Sequence, residues 1–427
     1  LFNSPDVVIF AIKEKNITSM KRLISIVFSL MPLFLMAQFS EIISLNEGWQ
    51  FSQVNDSVWY DADVPGSVQA DLIRHNVLPD PFYGTNEKDI QWVEDEDWDY
   101  RKTFVVSANQ LNHDDAYIFF EGLDTHADVF LNGSRILQTE NMFIGHKVPV
   151  KNILKEGENK LYIRFYSPIK RMMPARETFG YEYPAGNDHR DEKLSVYNRK
   201  APYHFGWDWG IRIVQMGIWK PVTLNFYDKA RIDDYYVKQS SVTSEKANID
   251  NIIEIHSLDE TSATIAFGYS LNTNNSTPKS KEELKQHLST SMEVELQKGN
   301  NIFSLPSIIE NPQLWMPVNW GEQHLYNFYA MVVIDDEVVA VKDVRTGLRT
   351  IRHIAKEDQH GKSYYFEVNG TPIFAKGTNY IPGEIFTHKQ DSAFYETFFN
   401  NVSGANMNMV RVWGGGIYEN EEFYRQA

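Results

Sequence analysis

From about Phe39 to Tyr227 the chain alternates apolar and polar residues in short runs: "AYIFFEG", "ADVFLNG", "KLYIRFY" and "KPVTLNFY". A period of two turns one face of each run toward a core and the other toward water, which predicts half-buried strands. Turn residues punctuate the runs at the spacing of a β-sandwich. Asn132-Gly133 predicts a two-residue hairpin; Asn132 also opens an N-x-S sequon, but the turn alone accounts for it. No long amphipathic helix is evident, and a boundary falls near Asp228. From about Lys229 to Gly347 the alternation resumes in "NIIEIHS", "ATIAFGYSL", "SMEVELQ" and "YNFYAMVVI", around a polar stretch, "NTNNSTPKSKEELKQH", that reads as a long loop. This predicts a second, immunoglobulin-like sandwich.

After Gly347 the rhythm changes. "SYYFEVNGTPIFAKGTNYIP" reads as a hairpin leading into a buried strand. "DSAFYETFFNNVSGAN" reads as a helix, capped by Asp391 or Ser392 and followed by Gly404. "MNMVRVWGGG" reads as another buried strand with Met407 and Met409 in its core, and "YENEEFYRQA" begins a further helix. Strand, helix, strand, helix is the opening of a parallel α/β barrel. A full barrel takes about 250 residues, and roughly 80 follow the second sandwich.

Ahead of all this, Met20-Lys21-Arg22 and "LISIVFSLMPLFLMA" form a charged start and an apolar run of signal-peptide length. Residues 1–19 precede Met20, a natural start. Cleavage near Ala37 is expected, giving a secreted or periplasmic protein with no membrane attachment afterwards.

Composition narrows the chemistry. The chain is 42% hydrophobic and 14% aromatic, enough for sizeable cores in two or three domains. Its 41 basic and 57 acidic residues leave a net charge of −16. That argues against nucleic acid and anionic lipid as partners, and suits a neutral substrate. With no cysteine, disulfides, thiolate nucleophiles and cysteine-ligated metals are excluded. "GGG" at 414–416 lacks the lysine and hydroxyl residue of a phosphate loop. "NDHRDE" at Asn187–Glu192 reads as a polar loop rather than a metal site. No cofactor and no metal are expected.

"HFGWDWG", His204 to Gly210, carries the most specific chemistry. A pyranose has apolar C–H faces and polar edges. Indoles can cover the faces, and a carboxylate can accept hydrogen bonds from two hydroxyls. Trp207, Asp208 and Trp209 could therefore wall a sugar pocket. On residue chemistry alone a tryptophan-rich core turn fits equally well, and Trp209 could pack under the loop. Trp49, Trp59, Trp92 and Trp98 read as core or rim packing. Arg411 and Trp413 fall at the C-terminal end of the second barrel strand, and Asn379 follows the first. Barrel sites gather at that face.

Several of these segments resemble one family. "FEGLDTHADVFLNG" and "EGENKLYIRF" are similar to the sugar-binding sandwich of glycoside hydrolase family 2. "LWMPVNWGEQHLY" is similar to its immunoglobulin-like domain, and "FEVNGTPIFAKGTNYIP" with "NMVRVWGGGIYE" to the opening of its barrel. "RKAPYHFGWDWGIR" resembles the β-mannosidase branch. The resemblance implies a multidomain, mainly β fold: a jelly-roll-like sugar-binding β-sandwich at 38–227, an immunoglobulin-like β-sandwich at 228–347, and the start of a catalytic (β/α)8 barrel at 348–427. It implies an exo-acting retaining β-mannosidase that removes terminal non-reducing β-D-mannose. It places Trp207, Asp208, Trp209, Arg411, Trp413 and Asn379 at the substrate. The family uses two glutamates, the acid/base in an Asn-Glu pair on a later strand. The pairs present, Asn46-Glu47, Asn86-Glu87 and Asn420-Glu421, do not fit that position, so both are expected downstream of this chain. Exo-β-glucosaminidase, endo-β-mannosidase or a non-catalytic carbohydrate-binding fragment are the alternatives, and the oligomeric state is left open.

Overall fold

The computed structural model describes residues 40–271 and 285–427. The expected signal peptide and most of the polar loop after Leu271 lie outside the described residues. The chain forms two compact units, one of residues 41–226 with 375–427, the other of residues 227–374.

The first sandwich holds ten strands: β1 (Ser40–Ser44), β2 (Trp49–Gln53), β3 (Tyr60–Ala62), β4 (Trp98–Val106), β5 (Asp115–Phe120), β6 (His126–Leu131), β7 (Ser134–Glu140), β8 (His146–Pro149), β9 (Gly157–Phe165) and β10 (Val222–Tyr227). One sheet runs β1-β10-β5-β8, the other β3-β2-β4-β9-β6-β7. Alternation decides which side chains are enclosed. Along β9, Leu161, Ile163 and Phe165 are buried while the residues between them are not. They join Trp49, Phe51, Trp98, Tyr100, Val129 and Leu224 in one core. Each such side chain contributes about 1.5–3 kcal/mol by leaving water. The β6–β7 hairpin turns on Asn132 and Gly133, at φ 53° and 87°, the left-handed pair that a tight hairpin requires. The Asn132 amide nitrogen donates to the Ile153 carbonyl and to Asn159 Oδ1, and its oxygen accepts from the Lys160 N–H.

Besides a single turn at Asn86–Asp89, two longer helices depart from the all-strand expectation: α1 (Val68–Arg74) and α2 (Pro168–Phe179). Ser67 and Ser167 cap them, Ser167 Oγ accepting from the Lys170 N–H at 3.0 Å. Pro168 and Pro174 make α2 read as a loop. Yet Pro168 sits in the first turn, where its missing N–H has no partner to lose, and only Pro168 and Ile169 are buried. The periodicity that would reveal a helix is therefore faint.

The second unit is a sandwich of β11 (Ala230–Val242), β12 (Lys246–Ser257), β13 (Thr261–Leu271), β14 (Leu288–Leu296), β15 (Gly299–Glu310), β16 (Tyr326–Ile334) and β17 (Glu337–Thr346). Its sheets run β11-β12-β15 and β14-β13-β16-β17, around Ile249, Ile253, Ile255, Ile265, Phe267, Phe328 and Val332. The same unit contains β18 (Ile351–Ile354), the two-residue strands β19 (Glu357–Asp358) and β20 (Gly361–Lys362), and the predicted hairpin of β21 (Tyr365–Val368) and β22 (Thr371–Ile373).

Beyond Phe374, β23 (Gly377–Tyr380), α3 (Ser392–Gly404), β24 (Met409–Val412) and α4 (Glu421–Gln426) alternate, and the two strands pair in parallel, as in the opening of a (β/α)8 barrel. Asp391 caps α3, its Oδ1 accepting from the Phe394 N–H at 2.9 Å. Gly404 is the last residue of the helix rather than the one after it; the left-handed residue is Asn406, at φ 54°. Tyr380, Val410 and Val412 face Tyr395, Phe398 and Phe423 on the helix side. Met407 and Met409 are only half-buried, not core. Among the described residues no helix is long and apolar enough to cross a membrane.

Candidate functional site

Trp207-Asp208-Trp209-Gly210 is a two-residue hairpin. Trp207 and Gly210 exchange both N–H···O bonds at 3.3 Å, which leaves Asp208 and Trp209 at the tip. The chain enters through the 3-10 turn Pro202–Phe205 and Gly206, at φ 103°. A Cβ at Gly206 would lie 2.4 Å from His189 Nδ1, so only glycine lets the chain pass that ring. Asp208 is exposed. Trp209 is 38% exposed, so it is not buried beneath the loop.

Trp413, arriving from β24, meets both indoles edge to face. Its ring centroid is 4.8 Å from Trp207 and 5.6 Å from Trp209, at interplanar angles of 69° and 85°. The backbone makes this approach possible. The Trp413 N–H donates to the Tyr380 carbonyl at 2.8 Å, continuing the parallel ladder, and a Cβ on Gly415 would fall 2.2 Å from the Trp413 ring. On the two strands Asn379 and Arg411 are register partners, and Arg411 Nη1 donates to Asn379 Oδ1 at 3.2 Å. Trp413 thus touches both indoles of the hairpin, Asp208 stands exposed between those two in sequence, and Asn379 and Arg411 pair on the adjoining strands, Arg411 two residues before Trp413.

Beneath the hairpin lies a charged centre that sequence reading missed. Lys200 Nζ donates to both oxygens of Asp124, at 2.7 and 2.8 Å, and to the Gln215 carbonyl at 2.8 Å. His204 Nδ1 lies 3.3 Å from the same nitrogen. All three side chains are buried. Burial lowers the Lys200 pKa, opposed by Asp124, and drives that of His204 well below its usual value, helped by the Lys200 charge. The Tyr203 ring packs at 6.1 Å from Trp209. Its buried hydroxyl has no hydrogen-bond partner among the described residues, and burial raises its pKa. "RKAPYH" contains Lys200 and Tyr203, but a lysine beside an arginine reads as solvated; only the paired carboxylate 76 residues earlier reveals it as buried.

A second network holds the segment that carries the hairpin. Arg212 bonds Glu94, which also accepts from Arg190 at 2.7 Å. Burial pushes the Glu94 carboxyl up, with Arg212 and Arg190 opposing. Within "NDHRDE", Asp188 accepts from the N–H groups of Arg190 and Ser195, and Arg190 pairs with Asp95 and Glu192. These carboxylates are engaged by arginines and backbone. Among the described residues no group of three or more histidines and carboxylates is arranged to hold a metal ion.

The Asn-Glu pairs also have local partners. Asn46 Oδ1 accepts from the Val222 N–H, Glu87 from the Arg212 N–H, and Asn420 caps α4. Trp49 and Trp98 are core, Trp92 rests on Trp98 at 6.1 Å, and Trp59 lies under the Arg101 guanidinium at 3.8 Å.

Residues 49–220 match the glycosyl hydrolase 2 galactose-binding domain-like family, and residues 230–349 match glycosyl hydrolases family 2. The chain belongs to glycosyl hydrolase family 2. It is 33% identical over 397 residues to Beta-mannosidase B of Thermothelomyces thermophilus, covering 90% of this chain and 43% of that protein. It is 31% identical over 390 residues to Beta-mannosidase of Mus musculus, covering 89% and 43%. The crystal structure of Beta-D-Mannosidase from Dictyoglomus thermophilum superposes with a TM-score of 0.82 at 37% identity, over 90% of this chain and 46% of that one. The family 2 chain thus spans less than half the length of these three relatives. Its two β-sandwiches and its β23–α3–β24–α4 segment follow the architecture that the resemblance implies.

Proposed function

We propose that the protein carrying this chain is an exo-acting β-mannosidase that hydrolyses terminal non-reducing β-D-mannose from mannosides by a retaining mechanism. The observation that carries the reading is the contact of Trp413 with both indoles of the hairpin whose tip bears the exposed Asp208, in a chain similar to β-mannosidases over nine-tenths of its length. In this reading the indoles cover the apolar faces of the terminal sugar and Asp208 accepts hydrogen bonds from its hydroxyls. The Arg411–Asn379 pair lies where barrel strands deliver side chains to a substrate. Retaining hydrolysis needs a nucleophile and a proton donor about 5–5.5 Å apart. Both are assigned to glutamates of later barrel strands, outside these 427 residues. The protein reaches its substrate after export and removal of residues up to about Ala37.

The test is hydrolysis of 4-nitrophenyl β-D-mannoside, compared with the β-glucoside, β-galactoside and β-glucosaminide, by the full-length protein. A preference for the mannoside with the anomeric configuration kept, followed by NMR, is expected. A preference for another sugar, or inversion, refutes the reading.

A further inference from the structure

The loop after α2 carries an aromatic group that the candidate site does not use. Phe179 ends the helix. Gly180 turns left-handed at φ 63°, and Tyr181 and Tyr183 follow with a polar residue between them. The Tyr183 ring is the hub, with centroids 5.3 Å from Phe179, 5.4 Å from Tyr181 and 5.8 Å from Tyr197. Phe179 is 61% and Tyr181 63% exposed. The Tyr197 hydroxyl donates to the Tyr181 carbonyl at 3.3 Å, which holds the loop in place. Three neighbouring aromatic rings on a surface call for an occupant, since single exposed apolar residues are ordinary but contiguous patches are not.

The geometry says which kind. The rings meet at 51°, 79° and 66°, so no two are stacked in parallel, and Phe179 and Tyr181 keep more than half of their surface in solvent. Exposed Glu177 and Thr178 precede them and exposed Glu182 separates the two tyrosines, in place of the aliphatic residues of an apolar protein interface. The net charge of −16 disfavours a polyanion. Solvent-exposed rings bordered in sequence by polar residues match the C–H faces and hydroxyls of a neutral sugar. The group also shares a foundation with the hairpin. Tyr197 packs on a buried cluster that contains Phe205, and the Phe205 carbonyl accepts from the His189 N–H one residue before Gly206 and Trp207.

We propose that Phe179, Tyr181 and Tyr183 form a second carbohydrate contact, which holds internal units of a neutral β-linked manno-oligosaccharide while its terminal unit occupies the hairpin site. The proposal rests on the β-mannosidase reading. Its energetic logic is that of linked sites: a weak contact on the same ligand adds affinity through effective concentration, and a short substrate cannot use it.

The experiment compares full-length protein with a Phe179→Ser/Tyr181→Ser double variant, leaving Tyr183 and Tyr197 to hold the loop. For β-1,4-mannotetraose the variant's KM rises about tenfold, a change of about 1.4 kcal/mol in binding, while KM for 4-nitrophenyl β-mannoside stays within roughly twofold. An unchanged KM for the tetraose overturns the proposal, as does an equal rise for both substrates. So does a loss of self-association on sedimentation of the variant, which would make the rings a contact between copies. Saturation-transfer NMR with mannotetraose separates the two readings. Tetraose signals that the variant loses, from a protein that hydrolyses no mannoside, would sink the enzymatic reading and leave the platform. Mannoside hydrolysis with identical tetraose signals from both proteins would do the reverse.

Discussion

Trp207 and Trp413, more than 200 residues apart in the chain, meet edge to face with their ring centroids 4.8 Å apart. One indole comes from a hairpin of the first sandwich's unit and the other from the end of a barrel strand. Their contact makes a single wall of two segments that are unrelated in local structure. Trp209 reaches the same ring at 5.6 Å, so Trp413 is the shared member of both pairs.

Replacing that shared ring should disturb both partners. Each aromatic pair is worth about 0.5–1.5 kcal/mol beyond its buried area. Trp413→Ala is therefore expected to red-shift tryptophan emission and to lower kcat/KM on an aryl β-mannoside by at least about tenfold. An unaltered emission maximum, after allowance for the lost fluorophore, would show that the indoles do not hold one another.

Asp208 is exposed at the hairpin tip, so removing its carboxylate should leave the fold intact. A hydrogen bond to a charged group contributes about 1.5–3 kcal/mol, and each 1.36 kcal/mol is tenfold in rate, so Asp208→Ala should cost roughly 10- to 150-fold in kcat/KM. Tm should barely move. Full activity in the variant excludes substrate binding by Asp208, and failure to fold assigns it to packing.

Lys200→Met leaves Asp124 buried without its cation. Breaking a buried pair costs about 3–5 kcal/mol, whereas replacing both members by apolar residues is often close to neutral. Urea unfolding should therefore place Lys200→Met well below the parent, with Lys200→Met/Asp124→Leu recovering much of the difference. Equal losses in the single and double variants would mean that the pair's geometry, rather than the orphaned charge, carries the effect.

Two histidines set an acid limit. Burial lowers the His388 pKa to about 4, assisted by Lys389 and opposed by Asp63, and burial lowers that of His204 well below 6.5. A histidine whose folded pKa is depressed binds fewer protons folded than unfolded. Its contribution is thus fully present above the unfolded value near 6.5 and is lost as pH falls toward the folded one. Tm should decline between pH 6.5 and about 4, and His388→Gln should flatten that decline. Asp71, raised from 3.8 to about 6 by burial, acts oppositely between those two values and so offsets part of the decline below pH 6; a variant with the parent's slope would show that His388 does not couple to folding.

What the chain's own pattern determines is whatever depends on neighbours in sequence. Alternation in "KLYIRFY" specifies the buried face of β9, because side chains of a strand point to opposite sides in turn. Asn132-Gly133 specifies its hairpin through the left-handed backbone that asparagine and glycine tolerate, and Asp391 specifies the start of α3 through its cap. The glycine-bordered Trp207-Asp208-Trp209 likewise announces a tight turn. What only the tertiary structure decides is which distant residues share a dielectric environment or a surface. Nothing near Lys200 says that it is buried; Asp124, arriving from the connection between β5 and β6, makes that burial tolerable. Nothing in "RVWGGG" says that Trp413 will lie between Trp207 and Trp209. Helix α2 was hidden because it buries only Pro168 and Ile169, and so imposes almost no periodic constraint on its sequence. Local propensity is read along the chain, whereas desolvation and ring contact depend on separations in space that the chain order does not contain.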